Sequence, residues 1–227
     1  MERVVVSMGG SVLVPGDNDA VFITKFLDLI KELSKDYRLC IVCGGGKIAR
    51  YYITTGKEMG LRKDELDELG IMVTRLNARL LQLVLHDVAA PRIPETIEEA
   101  ARLMSNYNVV IMGGTVPGHT TDAVSALVAK EVSANRIVNA TSVDAAYSAD
   151  PKKVASAKRY AKLSFEELLI LVDKGGHEAG SSDVFDKLGA QIAMEARIPI
   201  YIVNGRNLEE LENAVRGRLI KGTIVSD

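Results

Sequence analysis

Three short apolar runs in this chain each stop at a pair of glycines: Val4 to Met8 before Gly9-Gly10-Ser11, Leu39 to Cys43 before Gly44-Gly45-Gly46, and Val109 to Met112 before Gly113-Gly114-Thr115. Runs rich in β-branched residues and bounded by glycine suit buried strands, and glycine, with no Cβ, lets a ligand or a helix approach the main chain closely. Three such loops at the carboxyl ends of strands in one parallel sheet converge on one crevice, where bare N–H groups favour anions. The pattern predicts a phosphate ligand, and several phosphates rather than one.

Composition narrows the partners. The 227 residues hold 28 Lys and Arg against 30 Asp and Glu, a net charge of −2, which gives no bulk field for DNA, RNA or an anionic membrane. A phosphorylated ligand must therefore be neutralised locally, by loop amides, a few cations and a metal. The chain enters strand-like sequence at once, without a basic leader, and no apolar stretch approaches the roughly 18 residues of a membrane helix. The expectation is a cytoplasmic protein with a single compact domain. Cys40 and Cys43 form a C-x-x-C, but two cysteines cannot build a four-thiolate site, and on a strand they fall on opposite faces, about 10 Å apart at ~3.3 Å per residue. They read as packed core residues.

Periodicity sets out the elements. Val21, Phe22, Phe26, Leu29, Ile30 and Leu33 recur at helical spacing, and Leu69, Met72, Val73, Leu76, Leu80, Leu83 and Val84 form a wide apolar stripe suited to a core or a subunit interface. Arg62 to Glu65 marks a break between two helices. Further helices are predicted at about 95–105, from Thr121 through Val132 with Thr121 or Asp122 as its cap, at 164–172, at 183–196 and at 208–215. Strands are predicted at 137–141, 200–203 and 223–225, with a polar turn at 144–151 and a glycine-rich joint near 175–182. Strands alternating with helices predict a three-layer α/β/α sandwich around a mostly parallel sheet.

Two common phosphate motifs are absent. The Walker A pattern needs a lysine and then Ser or Thr at fixed spacing after the first glycine; Gly44-Gly45-Gly46-Lys47 supplies lysine too early, and Lys57 is followed by Glu58. The dinucleotide fingerprint also fails, because Gly9-Gly10 runs into Ser11-Val12-Leu13.

The set Gly9-Gly10-Ser11, Gly44-Gly45-Gly46 with Arg50, Gly113-Gly114-Thr115 leading into His119-Thr120-Thr121-Asp122, and Asn139 to Asp144 with Tyr147 and Asp150-Pro151 resembles the amino acid kinase superfamily. Within it the sequence is most similar to archaeal-type uridylate kinases, and the likeness covers essentially the whole chain. The resemblance implies one sandwich domain over 1–227, with an acceptor-binding part at about 1–135 and an ATP-binding part at about 136–227. It further implies dependence on ATP and Mg²⁺, transfer of the γ-phosphoryl group to UMP to give UDP in pyrimidine biosynthesis, and a homohexamer.

Carried over residue by residue, the resemblance assigns Gly44 and Gly45 to the junction between acceptor phosphate and transferred phosphoryl, with Gly9, Gly10, Gly46 and Arg50 nearby. Asp67 matches a carboxylate that accepts hydrogen bonds from the UMP sugar. Thr115, Val116, Pro117, Gly118, His119, Thr120 and Thr121 match the loop that wraps the acceptor. Thr141, Tyr147 and Asp150 match positions that hold the ATP adenosine, and Asp122 an acid that organises lysines and metal-bound phosphates. No set of metal-ligating side chains is read from the sequence. His119 is not taken as a base, since the UMP phosphate is already anionic and transfer between phosphates needs alignment and charge stabilisation more than proton transfer.

The family generally carries a catalytic lysine two residues before the first glycine pair, where this chain has Ser7. Lys187 matches a second catalytic lysine of some members, and Lys47 lies against the glycine triplet; either is a candidate for the stabilising cation. Two alternatives stay open at this point. One is a kinase of another small phosphate or carboxylate acceptor, although His86, His119 and His177 do not sit where an isopentenyl phosphate kinase needs its histidine. The other is a nucleotide-binding regulatory or storage subunit with little turnover.

Overall fold

Strands buried on both faces need cover on both, and this sequence supplies it by returning a helix after nearly every strand. The computed structural model describes residues 1–16, 19–149, 151, 153–175 and 184–227. In chain order the elements are β1 (Glu2–Met8), α1 (Gly10–Leu13), α2 (Asp19–Leu33), β2 (Tyr37–Cys43), α3 (Gly46–Glu58), α4 (Lys63–Val84), α5 (Ile97–Asn106), β3 (Val109–Met112) and α6 (Thr121–Glu131). There follow β4 (Arg136–Thr141), β5 (Ala146–Tyr147), β6 (Arg159–Tyr160), β7 (Lys162–Leu163), α7 (Phe165–Gly175), α8 (Lys187–Ala196), β8 (Ile200–Asn204), α9 (Leu208–Val215) and β9 (Thr223–Val225).

Seven strands form the main sheet in the order β3-β2-β1-β4-β8-β9-β7, parallel except where β8 meets β9. β5 and β6 pair antiparallel as a separate small ribbon. Side-chain alternation divides the interior into two cores. Val5, Cys40, Val42 and Val110 face α5, α6 and α8, while Val4, Val6, Ile41, Cys43 and Ile111 face α2, α4 and α9. The two cysteines therefore lie on opposite faces, both buried and free, as the strand period requires.

Register positions the site. Met8 stands opposite Cys43 and Ala140, and Val42 opposite Met112, so the strands end level and their loops emerge side by side. β2 and β3 lie to one side of β1, and β4 and β8 to the other. This makes the β1/β4 boundary the place where the chain reverses its winding, and crevices in open α/β sheets form there.

Several boundaries differ from the sequence expectation. The helix after the loop that follows β3 is capped by Thr120, whose hydroxyl accepts the Ala123 N–H at 3.1 Å; Thr121 and Asp122 lie inside its first turn. The helix expected from 183 starts at Lys187 with Asp186 as its cap, and Asp183 falls outside the described residues. The first glycine loop is tighter than expected, because Gly10 already begins α1. On the stripe of α4, Val73 is buried and Leu69 half-buried, whereas Met72, Leu76, Leu80, Leu83 and Val84 are exposed, so most of that face is not part of this chain's core. Among the described residues no helix is long and apolar enough to cross a membrane.

Candidate active site

The first two glycine loops interlock. Gly9 N–H donates to the Ala140 carbonyl at 3.0 Å and Gly44 N–H to the Met8 carbonyl at 2.9 Å, which pins each loop to the neighbouring strand. A Cβ on Gly10 would lie 2.0 Å from the Gly46 nitrogen and 2.7 Å from the Gly44 carbonyl carbon. A Cβ on Gly44 would meet the Gly10 nitrogen at 2.5 Å, and Gly46 adopts φ +64°. Main chain thus packs directly on main chain, which brings the Gly10 and Gly46 amides, neither of them bonded to a described residue, to one point at the carboxyl end of the central strands.

The third loop joins them through α4. Gly113 packs on the α4 backbone, where a Cβ would come within 2.6 Å of the Arg75 nitrogen. Thr74 Oγ1 accepts the Gly114 N–H at 2.7 Å, and Asn77 Nδ2 donates to the Gly44 carbonyl at 2.8 Å. Further along the same helix, Asp67 Oδ2 accepts the Gly118 N–H at 3.0 Å. Residues 67, 74 and 77 recur at helical spacing on one edge of α4, so one rigid element sets the positions of two loops. Thr74 and Asn77 were not singled out from sequence. Sequence offers little to mark them in an amphipathic helix that carries many other polar residues, and Asn77 at 7 % exposure is otherwise a costly residue to bury.

A polar cluster closes the other side of the glycine loops. Ser7, at 1 % exposure, donates to Asp122 Oδ1 at 2.7 Å. Thr120 Oγ1 donates to Asp186 Oδ2, and Asp186 Oδ1 accepts the Gly189 N–H at 2.8 Å as the cap of α8. Burial pushes the Asp122 carboxyl up to about 7; the Asp186 charge adds to this, while the Ser7 hydroxyl and a hydrogen bond from the Asp186 main chain oppose it. Where the family generally carries a lysine, the neutral hydroxyl of Ser7 stands, and among the described residues no lysine or arginine pairs with Asp122. The sequence reading of Asp122 as a helix cap is corrected: its carboxyl turns inward to β1.

The remaining candidates are distributed as follows. Arg50 lies on the exposed face of α3 with no side-chain partner among the described residues, and Lys47 is exposed one turn earlier. Thr115, Val116, Pro117, Gly118 and His119 form the loop between β3 and α6, with Thr121 opening the helix. Within this loop Thr115 Oγ1 and His119 Nδ1 are buried yet make no hydrogen bond to a described residue. Thr141 ends β4, where its carbonyl accepts the Gly205 N–H at 2.9 Å. Tyr147 lies on β5 with its hydroxyl donating to Asp144 at 3.0 Å. Lys187 is the first residue of α8, and its ammonium meets Asp173 of α7 at 2.6 Å rather than Asp122. Asp150 lies outside the described residues.

Residues 2–204 match the model of the amino acid kinase family. The chain belongs to that family. Among its relatives, a uridylate kinase from Methanoculleus marisnigri is 41% identical over 227 residues, covering 100% of this chain and 97% of the relative. Another, from Methanocaldococcus jannaschii, is 40% identical and covers 98% of this chain and 99% of its own length. The crystal structure of uridylate kinase from Archaeoglobus fulgidus superposes with a TM-score of 0.88 at 40% identity, covering 100% of both chains. UMP kinase from Bacillus anthracis shares the fold at a TM-score of 0.78 and 22% identity. These findings agree with the fold and family expected from the glycine loops.

Proposed function

We propose that the chain is a UMP kinase, which transfers the γ-phosphoryl group of ATP to UMP to give UDP and ADP. The observation that carries this reading is the interlock of Gly10 with Gly44 and Gly46 at the winding reversal of the sheet, in a chain about 40% identical throughout to uridylate kinases. Neither the regulatory-subunit reading nor another acceptor finds support among these relatives.

The residues present fit both cofactors. The Gly10, Gly44 and Gly46 main chain leaves no room for a Cβ, and the Gly10 and Gly46 amides, which donate to no described residue, can meet phosphate oxygens, as a polyphosphate tail requires. Mg²⁺ is commonly bound through one or two carboxylates plus substrate phosphates, and Asp122 with Asp186 beside it supplies such a pair. When bound, the metal neutralises charge on the β- and γ-phosphates.

In this reading the chain's own work is alignment and charge compensation. Donor and acceptor bring about five to six negative charges into one cleft, which the loop amides, Arg50 and Lys187 or Lys47 offset. Asp67 and the loop from Thr115 to Thr121 hold UMP, Thr141, Tyr147 and Asp150 border the ATP adenosine, and Gly44 and Gly45 lie where the two phosphates meet. No side chain need remove a proton. A cytoplasmic homohexamer belongs to the same proposal; of this, the exposed apolar stripe of α4 supports self-association.

The direct test is ADP release by the purified protein with ATP, Mg²⁺ and each nucleoside monophosphate in turn; UMP-dependent release is expected, and UMP binding without turnover would reject the kinase. Arg50→Ala is expected to lower kcat/KM by at least about 10²-fold, because a planar cation is lost from the phosphates. Its melting temperature should stay at the wild-type value, since the exposed side chain has no partner to lose. A wild-type rate would remove Arg50 from the site.

A further inference from the structure

We propose that Arg75 is a positioning residue for the nucleotide acceptor, acting through the main chain of the loop that follows β3. This inference rests on the reading of residues 115–121 as the acceptor loop. Arg75 lies on α4, one residue past Thr74, and its guanidinium reaches that loop with two nitrogens at once. Nε donates to the Gly114 carbonyl at 3.1 Å and one terminal nitrogen to the Thr115 carbonyl at 3.3 Å. The other terminal nitrogen meets Glu95, just ahead of α5, at 2.8 Å. A planar fork with fixed donor directions can hold two successive carbonyls and a carboxylate together, which a lysine ammonium cannot do in one geometry.

The consequence follows from peptide geometry. In a trans peptide the carbonyl of one residue and the N–H of the next point in opposite directions. Holding the Gly114 and Thr115 carbonyls against α4 turns the Thr115 and Val116 N–H groups away from it. Neither N–H donates to a described residue, and the Thr115 hydroxyl beside them is buried without a partner. Two N–H groups of one short segment are thus left facing away from the helix, and with the Thr115 hydroxyl they make no hydrogen bond among the described residues. Their purpose is then to meet the oxygens of an acceptor, and Arg75 fixes the direction in which they point.

Thr74 and Asp67 hold the same loop by its Gly114 and Gly118 N–H groups, at 2.7 and 3.0 Å. Arg75 is the α4 side chain that holds it by its carbonyls. Its partner Glu95 is largely exposed and makes no hydrogen bond or ion pair to the described residues of the loop, so the ion pair and the tether can be separated by mutation.

The test compares Arg75→Ala, Arg75→Lys and Glu95→Gln with wild type in steady-state kinetics and in calorimetric titration with UMP. For Arg75→Ala the expected result is a rise of at least tenfold in both KM and Kd for UMP, with KM for ATP within twofold. Arg75→Lys, which can keep one carbonyl bond, should recover part of that loss, and Glu95→Gln should stay within twofold throughout. An unchanged UMP affinity in Arg75→Ala, an equal rise in KM for UMP and ATP, or a Glu95→Gln effect as large as that of Arg75→Ala would each overturn the proposal. Absence of UMP turnover in the wild type rejects instead the assigned reaction, and the UMP titration still reads the tether.

Discussion

Gly10→Ala is expected to abolish most of the activity and to lower the melting temperature by roughly 6–12 °C. The added carbon would sit 2.0 Å from the Gly46 nitrogen and 2.7 Å from the Gly44 carbonyl, and all of these are main-chain atoms that no rotamer change can move aside. Two loops must part by more than an ångström, and overpacking of this kind costs about 3 kcal/mol, worth roughly 2–4 °C per kcal/mol in a chain of this size. Because the same loops align the reacting phosphates, a displacement of about 1 Å is expected to lower kcat/KM by ~10²-fold or more. Gly70→Ala is the internal control: it lies within α4, where a Cβ would meet only the end of the Ile53 side chain at 3.4 Å. That variant should gain roughly 0.5–1 kcal/mol from helix propensity. If calorimetry showed Gly10→Ala melting with the wild type, the loops would not be interlocked.

Asp122→Asn should make the protein more stable and less active, a pairing that a merely misfolded variant cannot give. The Asp122 carboxyl is pushed up to about 7 by burial and then by Asp186, whereas an unfolded aspartate titrates near 3.9. Between these values the folded state holds a proton that the unfolded state has released. The contribution of Asp122 to stability is therefore most favourable below about pH 4, falls as pH rises toward 7, and carries the full penalty above it. The gap between the folded and unfolded values sets an upper limit of about 4 kcal/mol on that penalty. Asparagine keeps an oxygen for the Ser7 hydroxyl without the charge, so the variant should melt several degrees above wild type at pH 8, with the gap closing at pH 4. Its kcat/KM should nonetheless fall at least ~10²-fold, since the ionised carboxylate is what can hold a cation facing the phosphates. The wild-type kcat/KM should accordingly rise with pH through about 7, an inflection absent from the variant's residual rate. Melting curves of the two proteins that stay parallel from pH 4 to 8 would show that Asp122 is not strained by its burial.

The sequence made the sheet legible because strands buried on both faces are continuous apolar runs, and Val4 to Met8 and Leu39 to Cys43 cannot be mistaken for helix-period segments. The glycine loops were legible for the same reason: a glycine pair ending such a run has few structural uses. Elements without a period were not legible. The two-residue strands at 146–147, 159–160 and 162–163 are set by partners distant in sequence, and α1 is a single turn. Asp122 was one of two cap candidates, because Asp and Thr are both favoured at that position, and Thr120 holds it instead. The inward turn of Asp122 depends on Ser7, 115 residues earlier, and on Asp186, both brought to it by the sheet. Likewise α4 reads as one apolar stripe, while Thr74 and Asn77 on its polar edge acquire meaning only once the loops lie against it.

The cysteines of β2 carry a practical corollary. Burial pushes the Cys40 thiol up to about 12 and raises that of Cys43 as well, so almost no thiolate is exposed to an electrophile while the sheet is intact. Alkylation of either sulfur must wait for the centre of the molecule to open. The rate at which a thiol-trapping reagent consumes this chain is therefore a clock for global unfolding, with both sulfurs reporting on the same event from opposite sides of the sheet.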